Sequence, residues 1–213
     1  MNIFTQAYEY AASNPDKLLS ALESHLLLVV VPLCIGLAVG LPLGLLSARS
    51  RVASTLLINS FNALRVIPSL AILFLAIPYF GLSFQSAAIA LTLLVIPPIL
   101  ISTDVAFRSI DPAIREAAFG MGMSPIQVLW QVEIPLALPV IIAGIKTATV
   151  EVIASATLAA FIGAGGLGSF IVLGFSLYDN AILLVGAIPV ALLALIAEVS
   201  LSTLQRSLEP PVR

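Results

Sequence analysis

Charge is what this sequence has least of. Only 9% of its 213 residues are Asp, Glu, Lys or Arg, while 60% are hydrophobic. A soluble domain carries about 25% charged residues, so this composition cannot cover a water-facing surface. The mean hydropathy of +1.14 agrees. The chain is a membrane protein. Its net charge of −2 includes no basic stripe to neutralise phosphates, which excludes a nucleic-acid partner. A single cysteine, Cys34, allows no intrachain disulfide, and its place inside an apolar run predicts a buried, inert thiol. A single histidine, His25, has no second His or paired Cys to complete a metal site, and is expected to mark the outer interface. No GxxxxGK[ST] is present, and "GIKT" (144–147) lacks the upstream glycine and the GK pair. The chain therefore cannot hydrolyse ATP itself.

A cleavable leader is not expected either. No Lys or Arg precedes Lys17, and the first apolar run, from Leu26 to Leu46, is too long for a signal core. Asn14-Pro15 reads as the N-cap and first residue of a short interfacial helix leading into that run.

What is present is apolar length. A span needs about 20 apolar residues, and the runs predict an all-α protein with about five spans, near 26–48, 56–80, 86–106, 137–162 and 180–204. Residues 66–103 carry no charge at all, and the polar "GLSFQS" (81–86) divides them into a hairpin of two spans. No further domain fits, so 1–213 is one transmembrane unit. Arg49 and Arg51 follow span one, Arg108 and Arg115 follow span three, and Arg206 and Arg213 follow span five. The opposite side offers only Lys17. Basic loops stay inside, so the N-terminus is expected outside and the C-terminus in the cytoplasm.

Within the spans, Gly36, Gly40 and Gly44 make two overlapping GxxxG steps, a face for close helix approach. Prolines 32, 42, 68, 78, 97, 98 and 189 predict bent helices. Phe74, Tyr79, Phe80 and Phe84 cluster near the outer end of span two, as an interfacial belt or a ligand cage. Glu151 lies about three turns into span four, counted from Pro139 at about 1.5 Å per residue. A carboxylate at that depth faces a wet cavity or a partner. It either offers charge to a cationic solute, pairs with Arg65 or Lys146, or is protonated. An intramembrane enzyme would need polar groups converging on one cavity, whereas Glu151 and Lys146, five apart, point to different helix faces.

One organised polar element interrupts this pattern. In "REAAFGMGMSPIQVLWQVEIPLALP" (115–139), Asp111-Pro112 starts a helix that Gly120 and Gly122 weaken. Ser124-Pro-Ile-Gln127 restarts it as a capping box, and Pro135 is expected to stop it. Two short helices thus meet at a glycine bend on the arginine-rich side. Their small face, Ala117, Ala118 and Gly122, suits docking into another protein's groove, and Trp130 would anchor an ordinary interfacial loop.

The order Glu116-Ala117-Ala118, three residues, Gly122, nine residues, Val132-Glu133-Ile134-Pro135 resembles the EAA loop of ABC importer permeases. Val132 and Ile134 replace the usual Ile and Leu. "IPSLAIL" (67–73), "VEIPLALPVIIAGIKTAT" (132–149) and "ATLAAFIGAGGLG" (156–168) are similar to permeases for the osmoprotectants glycine betaine, carnitine and choline. Methionine permeases, which share a "GAGGLG" segment, are the alternative. Glu151 departs from the family pattern, which is neutral or aromatic there. The resemblance implies the type I importer permease fold, with loop 111–135 as the ATPase-coupling helix and Glu116, Ala117, Ala118, Gly122, Val132, Ile134 and Pro135 as its coupling residues. It implies a dimer of ATPase subunits, which would hold the ATP and Mg while this chain binds no cofactor or metal. It further implies a second permease subunit, identical or homologous, an external solute-binding protein, and the bacterial inner membrane. Glu151, Ser155, Thr157, Phe74 and Tyr79 are the pathway candidates. Gly163, Gly165 and Gly168, with Gly166 among them, formally satisfy GxGxxG, but no strand precedes them as a dinucleotide site requires. They are expected to form an outer gate or a tight packing contact.

Overall fold

Apolar runs of this length satisfy their backbone groups in lipid only as helices. In the computed structural model, which describes residues 2–209, all the regular elements are helical. A first helix, α1 (Ile3–Ser13), opens the chain, its start capped by Asn2, which accepts from the Phe4 amide at 3.4 Å. Helix α2 (Pro15–Arg49) is one unbroken rod of 35 residues. The separate interfacial helix expected after Asn14-Pro15 is therefore only the first turns of α2, because nothing between Pro15 and Pro32 breaks the hydrogen-bond ladder. Nor does Asn14 cap with its side chain, whose Nδ2 donates back to the Tyr10 carbonyl at 3.1 Å.

Helices α3 (Arg51–Val66) and α4 (Ser69–Phe80) follow, bent by 92° where the sequence predicts one span over 56–80. Pro68 explains the break: its ring pushes Ile67 out of the helical region, to φ −75°, ψ 125°. Helix α5 (Phe84–Arg108) is the most enclosed element, with Leu91, Ile99 and Leu100 fully buried. Helix α6 (Pro112–Gly120) is the first of the predicted pair of short helices, whereas α7 (Pro125–Val128), where the second is expected, is the first turn of a longer run. A π-helical turn, Leu129–Glu133, leads into α8 (Ile134–Ser155), which tightens into a 3-10 segment, Ala156–Ile162. Helices α9 (Gly168–Leu177) and α10 (Asn180–Leu208) complete the described chain. Arg213, one of the orientation markers, lies outside the described residues.

In lipid, helices associate through close packing more than through apolar burial. Gly36, Gly40 and Gly44 supply it. All three are buried against α5, and a Cβ added at Gly40 would lie 2.9 Å from Ile99 Cγ2. A Cβ on Gly44 would meet Thr103 Cβ at 2.5 Å. The contacts advance in step, from Gly36 on Val95 to Ser47 on Asp104, so α2 and α5 run parallel. Two parallel spans require the chain between them to recross the membrane. The bent pair α3–α4 is thus a broken span rather than a re-entrant loop, which gives five among the described residues. Helix α8 packs antiparallel on α5, with Gly144 facing the Pro98 carbonyl and Ser102. Helix α10 joins α8 partly through Lys146, whose Nζ lies 3.1 Å from both Glu198 Oε1 and Ser202 Oγ.

One expectation from composition needs correction. Cys34 is exposed on this chain's surface rather than buried, because the small face of α2, not the Cys34 face, is turned to α5. His25 is fully buried within the subunit. The segment after the 3-10 turn folds over it, and a Cβ on Gly166 would lie 3.2 Å from its Nδ1. Among the described residues neither ring nitrogen has a hydrogen-bond partner.

Candidate functional site at the arginine-rich end

The 111–135 element is built by local signals. Asp111 Oδ1 accepts from the Ala113 amide at 2.9 Å, and Pro112 fills a first-turn position that needs no amide donor. Helix α6 then ends in a Schellman motif: the Met123 amide donates to Ala118 O at 3.2 Å and the Gly122 amide to Phe119 O at 2.9 Å. That closure needs a left-handed residue, and Gly122 supplies it with φ +84°. Ser124 and Gln127 then make the predicted capping box, the Ser124 amide donating to Gln127 Oε1 at 2.8 Å.

Pro135 does not stop the helix, contrary to the sequence reading. In the π turn the Ile134 amide donates to Leu129 O, five residues back, so the ladder is already shifted where Pro135 enters. The wider turn relieves the clash a proline makes with the carbonyl four residues earlier, and its missing N–H falls where the ladder changes step. The helical run from Pro125 to Ile162 therefore has 38 residues, nearly twice what a span needs. Glu133 lies near its start, outside the apolar part.

The seven residues of the EAA-like pattern do different things. Glu116, Ala117 and Gly122 are exposed and available to a partner. Ala118 is buried at the bend, so it belongs to the joint between α6 and α7 rather than to the outward face. Ile134 packs on the cluster of Ala106, Phe107, Ile110, Ala137 and Ile141, while Val132 is half-buried and Pro135 exposed. Trp130 is exposed on the outer side of the π turn.

What sequence reasoning missed is how the element is fastened. Glu133 is 2% exposed and holds two guanidinium groups. Arg49, the last residue of α2, makes a forked pair with both its oxygens, and Arg115 on α6 donates Nε to Oε1 at 2.6 Å. Arg115 also donates to the Phe107 carbonyl of α5 at 2.6 Å. One carboxylate thus binds α2 and α6 to the start of α8, and Arg115 adds α5. Burial pushes the Glu133 carboxyl up, but the two arginines outweigh it and hold it below the usual carboxylate range. Beside this clamp, Arg108 Nε donates to both oxygens of buried Asp104 at 3.1 Å, and Asp104 accepts from Ser47 at 2.6 Å. A charged Glu at 133 between apolar neighbours is the signal that could have flagged the clamp. Its partner lies 84 residues away, beyond any local pattern.

The pathway candidates are less unified. Glu151 and Ser155, one turn apart on α8, are both half-buried. Among the described residues Glu151 makes no ion pair; Lys146 is taken by Glu198, and Arg65 is exposed on α3. Thr157 donates to the Ala154 carbonyl at 2.7 Å. Phe74 and Tyr79 are exposed on α4, whose helix packs against the 3-10 segment carrying Thr157. The glycines divide. Gly163 closes the 3-10 segment at φ +70° with no atom within 4 Å of an added Cβ, whereas Gly168 presses on the Thr157 backbone, a packing contact.

With this geometry in place, the comparisons with known proteins are direct. The family model described as "Binding-protein-dependent transport system inner membrane component" matches residues 40–213. The carnitine transport permease protein OpuCB of Listeria monocytogenes is 42% identical over 197 residues, covering 92% of this chain and 90% of that protein. The choline transport system permease protein OpuBB of Bacillus subtilis is 36% identical over 202 residues, covering 95% and 93%. Among solved structures, an inward-facing form of the MetNI methionine ABC transporter superposes with a TM-score of 0.78. It covers 91% of this chain and 97% of that one at 23% identity, a likeness of fold. The chain belongs to the family of binding-protein-dependent transport system inner membrane components, and it is a transmembrane permease subunit of an ATP-driven ABC importer.

Proposed function

We propose that this permease carries osmoprotectants of the quaternary ammonium class, such as glycine betaine, choline or carnitine, across a bacterial inner membrane. The observation that carries the reading is the permease fold with an EAA-like element in which Glu116 and Ala117 are exposed, in a chain whose relatives are named for carnitine and choline transport. The chain does no chemistry of its own. Two ATPase subunits bind ATP and Mg, and α6, the bend and α7 dock in a cleft of one of them. A second permease subunit completes the path, and an external binding protein delivers solute. Closing the ATPase pair draws the two coupling elements together, and the clamp at Glu133 passes that motion to α2, α5 and α8. In this scheme the arginine-rich end is cytoplasmic. The basic ends of α2 and α5, gathered beside α6, support that orientation. A reporter at Ser83 should read external and one at Gly122 cytoplasmic; a cytoplasmic Ser83 would overturn the orientation.

The test is uptake by the reconstituted importer, with its ATPase and binding protein, of glycine betaine, choline, carnitine and methionine in parallel. Uptake of at least one of the first three is expected, and uptake of methionine alone would reject the substrate class. The same vesicles test Glu151, which has no ion-pair partner among the described residues and so stays available to a cation. Glu151→Gln should lower choline uptake by about tenfold while ATPase activity persists. Unchanged uptake would remove Glu151 from the path.

A further inference from the structure

The clamp leaves something over. Arg49, Arg108 and Arg115 converge on one pocket of about 370 Å³, completed by Ala48 and Phe107. Their side chains are 47%, 34% and 28% exposed, while the two carboxylates that answer them, Glu133 and Asp104, lie behind at 2% and 3%. Three guanidinium groups against two carboxylates leave one positive charge, and it faces the pocket. Nor are the donors used up. Arg49 Nε, Arg108 Nη1 and Arg115 Nη1 have no acceptor among the described residues. Arg49 also stands 6.0 Å from the Phe107 ring centroid, which holds its guanidinium plane over an apolar floor.

We infer that this pocket binds a phosphate monoanion, and that its resident is the phosphodiester of an anionic phospholipid. The charge left over is the charge of one phosphodiester. Forked guanidinium donors match phosphate oxygens better than any other side chain does. The position fits as well: Arg49 ends α2 and Arg108 ends α5, so the pocket opens where two apolar runs meet the headgroup layer. Basic pockets between transmembrane helices at that level recognise lipid headgroups. A bound headgroup would bridge three residues on α2, α5 and α6, the elements that Glu133 and Arg115 already tie together. Lipid would then be a working part of the joint.

The probe is phosphatidylglycerol offered in mixed micelles to the purified permease–ATPase complex, with retained lipid counted by native mass spectrometry against phosphatidylcholine. Phosphatidylglycerol should be retained with about tenfold preference. Ala48→Glu sets a carboxylate among the free donors without removing any existing ion pair, and should cut that retention about tenfold, while Ala48→Gln, equal in size, should keep most of it. Should Ala48→Glu fail to assemble, Arg108→Lys keeps the charge but removes the fork, and should lower retention several-fold. Inorganic phosphate at about 10 mM separates the sources: displacement of the lipid means the pocket also takes free phosphate, and persistence means it is reserved for the headgroup. Equal retention of the two lipids, or full retention by Ala48→Glu or Arg108→Lys, would overturn the proposal. So would lipid held by the permease alone but expelled when the ATPase binds, since a partner carboxylate would then own the pocket.

Discussion

Glu133→Gln is expected to leave the permease in the membrane and assembled, yet to cut solute uptake per ATP hydrolysed by about tenfold or more. The reason is geometric before it is energetic. Glutamine keeps the length of the side chain and one acceptor oxygen, but it turns a donor toward guanidinium groups that are themselves only donors. With its oxygen at the Oε1 position, glutamine still accepts from Arg49 Nη1 and Arg115 Nε, and the Arg49 Nη2 arm of the fork must let go. Hydrogen bonds between charged groups of this kind are worth about 1.5–3 kcal/mol each. Arg49 is exposed enough for the released arm to find water, so the fold survives. What is weakened is the fastening of α2 to the start of α8, together with the charge that held Arg115. Arg115→Gln should be worse for assembly, because it weakens the pairing of a buried carboxylate and frees the Phe107 carbonyl, a change that costs about 3 kcal/mol or more. The decisive quantity is the ratio of uptake to hydrolysis, measured in the reconstituted importer. If Glu133→Gln lowers both in parallel and the ratio holds, the clamp only stabilises the subunit and does not transmit.

Gly122 gives the second large effect, and here two causes must be separated. Any residue with a Cβ strains the left-handed turn, by about 1–2 kcal/mol for an ordinary side chain. Asn enters that region far more readily than other residues, whereas Val is a true outlier there. Within this chain an added Cβ at Gly122 meets nothing within 4 Å. A loss shown by Gly122→Asn therefore has to come from outside the chain. We expect Gly122→Asn to assemble at normal levels and to lose uptake about tenfold, with Gly122→Val losing assembly too. Normal transport by Gly122→Asn would mean that the glycine serves only the Schellman turn and that the bend does not enter a partner.

The contrast between these two residues also shows what a reader of the sequence can reach. Asp111-Pro112, the Ser124–Gln127 box and the Gly122 bend were legible because each is settled within five residues by backbone groups that need partners. The stripe of Gly36, Gly40 and Gly44 was legible because helical spacing puts all three on one face, whatever they meet. Glu133 is visible as a charge between apolar neighbours, but nothing nearby names Arg49, which the fold brings from 84 positions away. Pro135 was misread for a related reason. A proline is expected to end a helix, and only the shifted ladder of the preceding turn, which leaves no mark in composition, lets it continue. Cys34 is placed only by the hydropathy of its surroundings. Hydropathy says that a residue is in the membrane, not whether it faces lipid or protein. For the same reason the pathway candidates were only half legible: Glu151 is clear as a lone carboxylate at depth, while Phe74 and Tyr79 turn outward from this subunit.

The π turn has a mechanical meaning beyond accommodating Pro135. By carrying the helix through instead of letting it break, it makes Pro125–Ile162 a single lever of 38 residues, about 57 Å long at 1.5 Å per residue. Its short arm holds Glu133 at one membrane surface. The long arm ends at the Gly163 turn, next to the segment that covers His25. A run of that length tilted by about 10° about one end would move the other by about 10 Å. A pull on the bend between α6 and α7 would then be felt at the far face at once, and the two mouths of the pathway would open and shut as opposite ends of the same stroke.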